Sequence, residues 1–506
     1  MKYRNIKIGA LALSLAMVSV SCSRDFTETV FNESEIASSW KSVDQMHSFV
    51  LGALIDMRST YYYGRDFSIY AEVRSDAMFS NGASAYFNTV YNYTMQASDA
   101  YATNTYSQIY KVIAKANNLI NFDINSLENA EANKAKATYY VGQAYALRAQ
   151  GFFDLLRLYG QKYIGGTEGI VMPLTYDPLN KQGRSSVAEV EKQIEADFTA
   201  ALNKMSSTKG VDNPSNRTEI SINAVKALML RYYLYKEDYA KVSTLVNEIV
   251  ASNNYKVIDK DALVNSWTTS GTSANSIFEL YYGDAAMPGA SSYAYVLNNG
   301  GYANVEVRKA AYNDYVNNDA RKSLIVENDK GQYFLDNKFP DLRGGTAVRI
   351  VRYEEVLLNG AEAEFKLGNK DQALEYYKMI LENRLSDITI DLTNKEEVDY
   401  YKQKLKTDLV VLIDNAISKD EKSLKITIKQ QLDVITSITF EDIMSERSKE
   451  LIGEGFRMWD LLRWGKEVPR PTGASTDKNR TIFPMPRVET DLAGSLVTAN
   501  PGYDNY

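Results

Sequence analysis

The chain has 506 residues, enough to bury a large core in one domain or two, and its 45% hydrophobic and 24% charged content is that of a folded globular protein. A net charge of −7 argues against nucleic acid and against electrostatic docking on anionic lipid. One histidine, His47, and one cysteine, Cys22, leave little room for imidazole–thiolate metal sites or for Ser–His and Cys–His catalysis. No catalytic residue, metal or cofactor is therefore expected.

Tyrosine is over-used, at 37 against 17 Phe and 4 Trp. It offers a flat apolar face with a polar tip, which suits both exposed recognition surfaces and the seams between helices.

Met1–Val20 reads as an export signal. Lys2, Arg4 and Lys7 precede the apolar run Ile8–Val20, which is too short to span a bilayer. An unpaired cysteine directly after such a run is expected to carry a thioether lipid. This makes 1–21 a signal peptide and 22–37 a lipidated tether. Loss of the three basic residues takes the net charge to −10. No later stretch is apolar enough to cross a membrane, so the acyl chains on Cys22 are the expected anchor.

Helical periodicity begins near Ser38 and runs through Trp40, Met46, Val50 and Leu54. Residues 79–100 have another texture, with Gly, Asn, Ser and Thr interleaved with Tyr86, Tyr91 and Tyr93, as in a binding loop. Helix pairs with small residues at their seams are expected near 106–160, 187–252, 349–384 and 439–465. Approximate copies of this kind predict a tetratricopeptide-like scaffold. Between the second and third copies, 253–345 is irregular. It holds a strand at Ile277–Tyr282, a hairpin around Asp329–Gly331, and a second Gly/Ser/Asn/Tyr loop at Gly283–Tyr302. Residues 385–437 read as a charged, largely helical, solvated insertion. The fold class expected is mainly α, with a few short strands in a loop-rich half.

The stretch Thr439–Gly465 opens with a capping box, Thr439 with Asp442, and mixes apolar and charged residues. Charges three apart (Glu446 with Lys449, Arg447 with Glu450, Asp460 with Arg457 and Arg463) are expected to pair along it, a structural role and not a catalytic one. Glu446, Arg447, Glu450, Leu451, Glu454, Gly455, Arg457, Asp460, Leu461, Arg463, Trp464 and Gly465 together resemble the C-terminal signature of SusD/RagB nutrient-uptake lipoproteins. Further matches run in family order: Cys22, Glu72 with Asp76, Tyr106 through Asn118, Arg148 ahead of Tyr159, Asp319–Arg321, Arg352–Ala363, Pro484–Pro486 and Asn500–Tyr503.

That resemblance implies one SusD-like domain over 38–506 on the surface of the outer membrane, held by lipid. It further implies a binder that hands a nutrient to a SusC-like TonB-dependent transporter. The implied ligand is an oligosaccharide, or in some branches a peptide. No tryptophan stands in place of the family's stacking arc, so tyrosines and amides are the ligand-binding candidates: Tyr86, Asn88, Tyr91 and Tyr93 in the first loop, and Tyr293, Tyr295, Asn298 and Tyr302 in the second. Arg74 joins them from the helix that leads into the first loop. The alternative, a glycoside hydrolase, would use Glu72 and Asp76, one helical turn apart.

Overall fold

Helix starts are written into the sequence as reciprocal caps. Ser42 pairs with Gln45, Ser186 with Glu189 and Thr439 with Asp442, each side chain satisfying the other's orphan N–H. The computed structural model describes residues 40–503 apart from Pro178 and Ala493. The expected signal peptide, Cys22 and the tether lie outside the described residues.

From Lys41 onward the longer helices are α1 Val43–Met57, α2 Asp66–Val73, α3 Ala100–Asn121, α4 Ala130–Tyr159, α5 Val187–Ser206, α6 Ile222–Tyr235 and α7 Tyr239–Ala251. They continue with α8 Tyr353–Leu367, α9 Lys370–Glu382, α10 Lys395–Lys404, α11 Thr407–Ser418, α12 Phe440–Leu451 and α13 Arg457–Arg463. Neighbours in sequence are neighbours in space: α3 packs on α4, α4 on α5, α6 on α7, and α8 on α7, α9 and α12. The fold is mainly α with tetratricopeptide-like helix pairs, as the sequence predicts. No described helix is long and apolar enough to cross a membrane.

Much of the tyrosine surplus is spent inside this scaffold. Tyr62 and Tyr63 both donate to the Asp154 carboxylate, Tyr159 to the Ala102 carbonyl at 2.6 Å and Tyr232 to the Glu191 carbonyl at 2.7 Å. All four are buried. Each fills a seam with its ring and satisfies its hydroxyl within the protein.

The strands are short. In chain order they are β1 Met78–Ser80, β2 Glu168–Val171, β3 Arg184–Ser186, β4 Ser276–Leu280, β5 Val305–Val307, β6 Val326–Glu327, β7 Tyr333–Phe334, β8 Val348–Arg352, β9 Ile388–Asp391 and β10 Ser423–Ile426. One sheet has the order β1-β5-β7-β6, and β6 with β7 is the expected hairpin around Asp329–Gly331. β1 and β5 are antiparallel, Met78 opposite Val307 and Ser80 opposite Val305.

The insertion differs from its sequence reading. Ile388 and Ile390 alternate inward on β9, which pairs with β10. With Val398, Tyr401, Leu409, Ile413 and Ile426 they form a hydrophobic cluster of their own. The charged residues dominate the composition, yet period-2 and helical apolar positions suffice for a small core.

Helix α12 and the turn that follows it hold a buried network of charges. Glu450 accepts from Arg321 (2.9 Å), Arg352 (2.7 Å) and Arg384 (2.9 Å), and Glu454 accepts from Arg352 and Lys338, both at 2.7 Å. Only two of the expected i,i+3 pairs form, Glu446 with Lys449 and Asp460 with Arg463. Arg447 turns to Asp460 at 3.1 Å, and Arg457 reaches across the chain to Asp76 at 2.6 Å.

Candidate functional site

The β1–β5 pairing decides the site, because it lays the loop after β1 beside the loop before β5. Tyr86 from the first and Tyr302 from the second lie with ring centroids 4.9 Å apart, and Tyr295 meets Tyr302 edge-on at 4.7 Å. All three are half-buried. The Tyr302 phenol is pushed above its ordinary range, chiefly by its hydrogen bond with Tyr86. Gly301 makes the turn possible: a Cβ there would sit 2.1 Å from the Tyr295 carbonyl oxygen, and the Tyr302 N–H donates to that oxygen at 2.7 Å.

Against Tyr86 lies a residue that sequence reasoning missed. The Arg65 guanidinium stands 4.8 Å from the Tyr86 centroid and is itself buried against Asp66 at 2.7 Å. Burial raises the Asp66 carboxyl to about 6, against the pull of Arg65. The cation packs against the Tyr86 ring and helps to hold it in place. Beside the platform, Asn81 and Gln332 both donate to one Glu306 oxygen at 3.1 Å. These rim groups also escaped the sequence reading, since only the sheet places 81, 306 and 332 together.

The other candidates divide. Asn88 and Tyr91 are half-buried in the first loop, and Asn88 accepts from the Ser80 hydroxyl at 2.9 Å. Arg74 and Tyr93 are each only 1% exposed. The Arg74 side chain donates to the carbonyls of Val90 (2.8 Å) and Thr481 (3.1 Å), and its guanidinium lies over the Tyr93 ring at 4.3 Å. The arrangement pins the first loop to the C-terminal segment. Tyr293 is buried and donates to the Gly453 carbonyl, while Asn298 is buried and donates to the carbonyls of Asp336 and Phe339. These four, read from the sequence as ligand contacts, are placed where they position the loops. A polar tip does not reveal from sequence whether its partner is a ligand or a carbonyl.

Tyr293 also lines an apolar slot of about 60 Å³ with Trp267, Tyr282, Pro288, Phe339 and Arg349. Trp267 there has no hydrogen-bond partner for its indole N–H. The short helix Tyr293–Leu297 thus has the slot on one side and the Tyr295–Tyr302 pair on another.

Glu72 and Asp76, the pair considered for hydrolysis, are committed to the C-terminal signature. Glu72 is fully buried and accepts from the N–H groups of Gly455 (2.6 Å) and Phe456 (3.3 Å). Asp76 holds Arg457 in a bidentate pair. Gly455 has φ +84°, and a Cβ on it would fall 2.7 Å from the Ser68 Cα. Gly455→Ala is expected to lower stability by about 1–2 kcal/mol or more through backbone strain, read from urea midpoints. Among the described residues no group of three His, Cys, Asp or Glu side chains gathers to hold a metal.

Two family models match the chain. One, the SusD family, covers residues 292–489, and the other, described as starch-binding and associating with the outer membrane, covers 30–234. The chain belongs to the SusD/RagB family. A SusD-like protein of Formosa agariphila is 24% identical over 550 residues, covering 96% of each chain. Among solved structures, a putative sugar-binding protein of Bacteroides vulgatus superposes with a TM-score of 0.72 at 20% identity, over 92% of this chain and all of that one. Surface glycan-binding protein A of Bacteroides thetaiotaomicron gives 0.66 at 18% identity, over 90% and 98%. The Glu72–Gly455 and Asp76–Arg457 contacts show how two separated parts of the SusD pattern meet in space.

Proposed function

We propose that this protein captures oligosaccharides at the outer surface of the cell and passes them to a SusC-like TonB-dependent transporter, without cleaving them. The single observation that carries the reading is the convergence of Tyr86, Tyr295 and Tyr302, with Arg65 against the Tyr86 ring and the Asn81–Glu306–Gln332 rim beside them. Half-exposed phenol rings match the C–H faces of a pyranose, and amides with a carboxylate match its hydroxyls. The names carried by its relatives, sugar-binding and surface glycan-binding, support the ligand class. On this reading residues 38–506 are one domain, with 385–437 inserted into it, and Cys22 bears the lipid that holds it to the membrane.

Tyr86→Ala combined with Tyr302→Ala should weaken retention on polysaccharide affinity gels at least tenfold, about 1.4 kcal/mol, with an unchanged unfolding temperature. Equal retention by wild type and variant would remove the site. Released reducing ends on incubation with the retained glycan would restore the hydrolase alternative. Mild extraction should co-purify a large β-barrel protein, and Cys22→Ala should shift the chain out of the membrane fraction.

One observation favours a peptide ligand instead. The slot at Trp267, Tyr282 and Phe339 would accept an apolar side chain, with Asp341 and Arg349 at hand for polar contacts. A screen against both a glycan panel and a peptide digest separates the two.

A further inference from the structure

Residues outside the tyrosine platform build a second cavity, of about 180 Å³, between α1, α4 and the connector that precedes α6. We infer that this cavity is a second saccharide site, which takes a single neutral sugar residue; the inference rests on the glycan reading above.

Its parts are those a sugar needs. His47 of α1 stacks on Tyr140 of α4 with centroids 4.9 Å apart and planes 12° from parallel, giving a half-exposed aromatic wall. Glu219 stands at the rim beside His47. One of its oxygens meets His47 Nε2 at 2.9 Å, and the other accepts from the Asn216 amide at 2.9 Å. Asn213 supplies a second, exposed amide.

The floor carries the decisive group. Gln143 is 1% exposed, and its Nε2 donates to the Ile220 carbonyl at 2.8 Å. That bond fixes which way the amide faces, and its Oε1 is left with no partner. A buried acceptor without a donor costs about 1–3 kcal/mol, which favours a small shift of the side chain that brings this closed-off oxygen to a donor in the cavity. The occupant must donate to Gln143 and Glu219, accept from an amide, and lay an apolar face on His47–Tyr140. A neutral sugar ring does all of this. A hard cation wants more oxygen ligands with charge than one carboxylate and amides provide.

His47 is the chain's one histidine, so its imidazole signals in a ¹⁵N–¹H correlation spectrum are unique and report on this cavity alone. The full chain would be titrated with D-glucose, D-galactose, D-mannose, D-xylose and L-fucose. We expect at least one sugar to move the His47 signals saturably. The movement should be lost in Tyr140→Ala and in Gln143→Met, and kept in the Tyr86→Ala, Tyr302→Ala double variant. No movement with any of the five, or movement that persists in both cavity variants, overturns the inference. Retention of each cavity variant on the polysaccharide gel shows that it is folded. A wild-type chain that fails on the gel refutes the proposed function, whereas gel retention with a silent His47 refutes this cavity alone.

Discussion

Glu450→Gln should destabilise the fold by about 3–5 kcal/mol, because it strips the shared anion from three buried guanidiniums. The residual partners are unequal. Arg321 keeps Asp319 and Glu446, and Arg352 keeps Glu354 and Glu454, but Arg384 keeps Glu354 alone and is 0% exposed. The loss should therefore fall mainly on Arg384. A double-mutant cycle with Arg384→Met, read from guanidinium chloride midpoints, should show the second substitution recovering part of the first. A loss below about 1 kcal/mol, or strict additivity, would mean the network is not coupled as drawn.

The pH dependence has a definite sign. Burial opposes the Glu450 charge, but Arg384, Arg352 and Arg321 outweigh it and hold the carboxyl well below its ordinary 4.5. Its stabilisation is complete above 4.5 and is lost as the pH falls through the depressed value. The wild type should thus gain stability from that carboxylate as pH rises out of the acid range, and Glu450→Gln should lack the gain.

Glu72→Gln should act in the opposite direction, raising stability at pH 8 by about 2 kcal/mol. Here burial wins. It raises the carboxyl from 4.5 to about 7, even though the N–H groups of Gly455, Gly453 and Phe456 and the charge of Lys338 all favour the anion. The folded protein therefore holds a proton that the unfolded chain has released between 4.5 and about 7. Stability from this group is full below 4.5, declines across that window, and levels off above it. Glutamine keeps an oxygen for the Gly455 and Phe456 N–H groups and removes the titration. Its NH₂ occupies the place of Oε2, which has no partner, and that offsets part of the gain. Thermal unfolding from pH 4 to pH 8 tests this. A variant whose curve parallels the wild type throughout would show that Glu72 is not the titrating group.

Both variants act on scaffold, and neither should alter glycan retention at a temperature where the protein is folded. The distinction separates the C-terminal signature from the platform. The charged signature residues are spent on Arg321, Lys338, Arg352, Arg384, Glu362, Asp76 or one another, whereas Tyr86, Tyr295 and Tyr302 remain half-exposed.

The sequence by itself determined the helices, their caps and the family. Apolar positions at helical spacing and Ser/Thr–Gln/Glu/Asp boxes act over a few residues, so they are visible in the chain. It also marked both tyrosine loops and the hairpin around Asp329–Gly331. What it could not sort were tyrosines and arginines whose partners lie hundreds of residues away. Arg74 and Tyr93 face the 470–481 segment, Tyr293 faces Gly453, and Arg457 faces Asp76 and not Asp460. Local charge spacing predicts i,i+3 pairs of a few tenths of a kcal/mol, and a bidentate long-range partner such as Asp76 outweighs them. Only the tertiary structure, through β1 pairing with β5, turned two tyrosine loops into one platform and placed Arg65 against it.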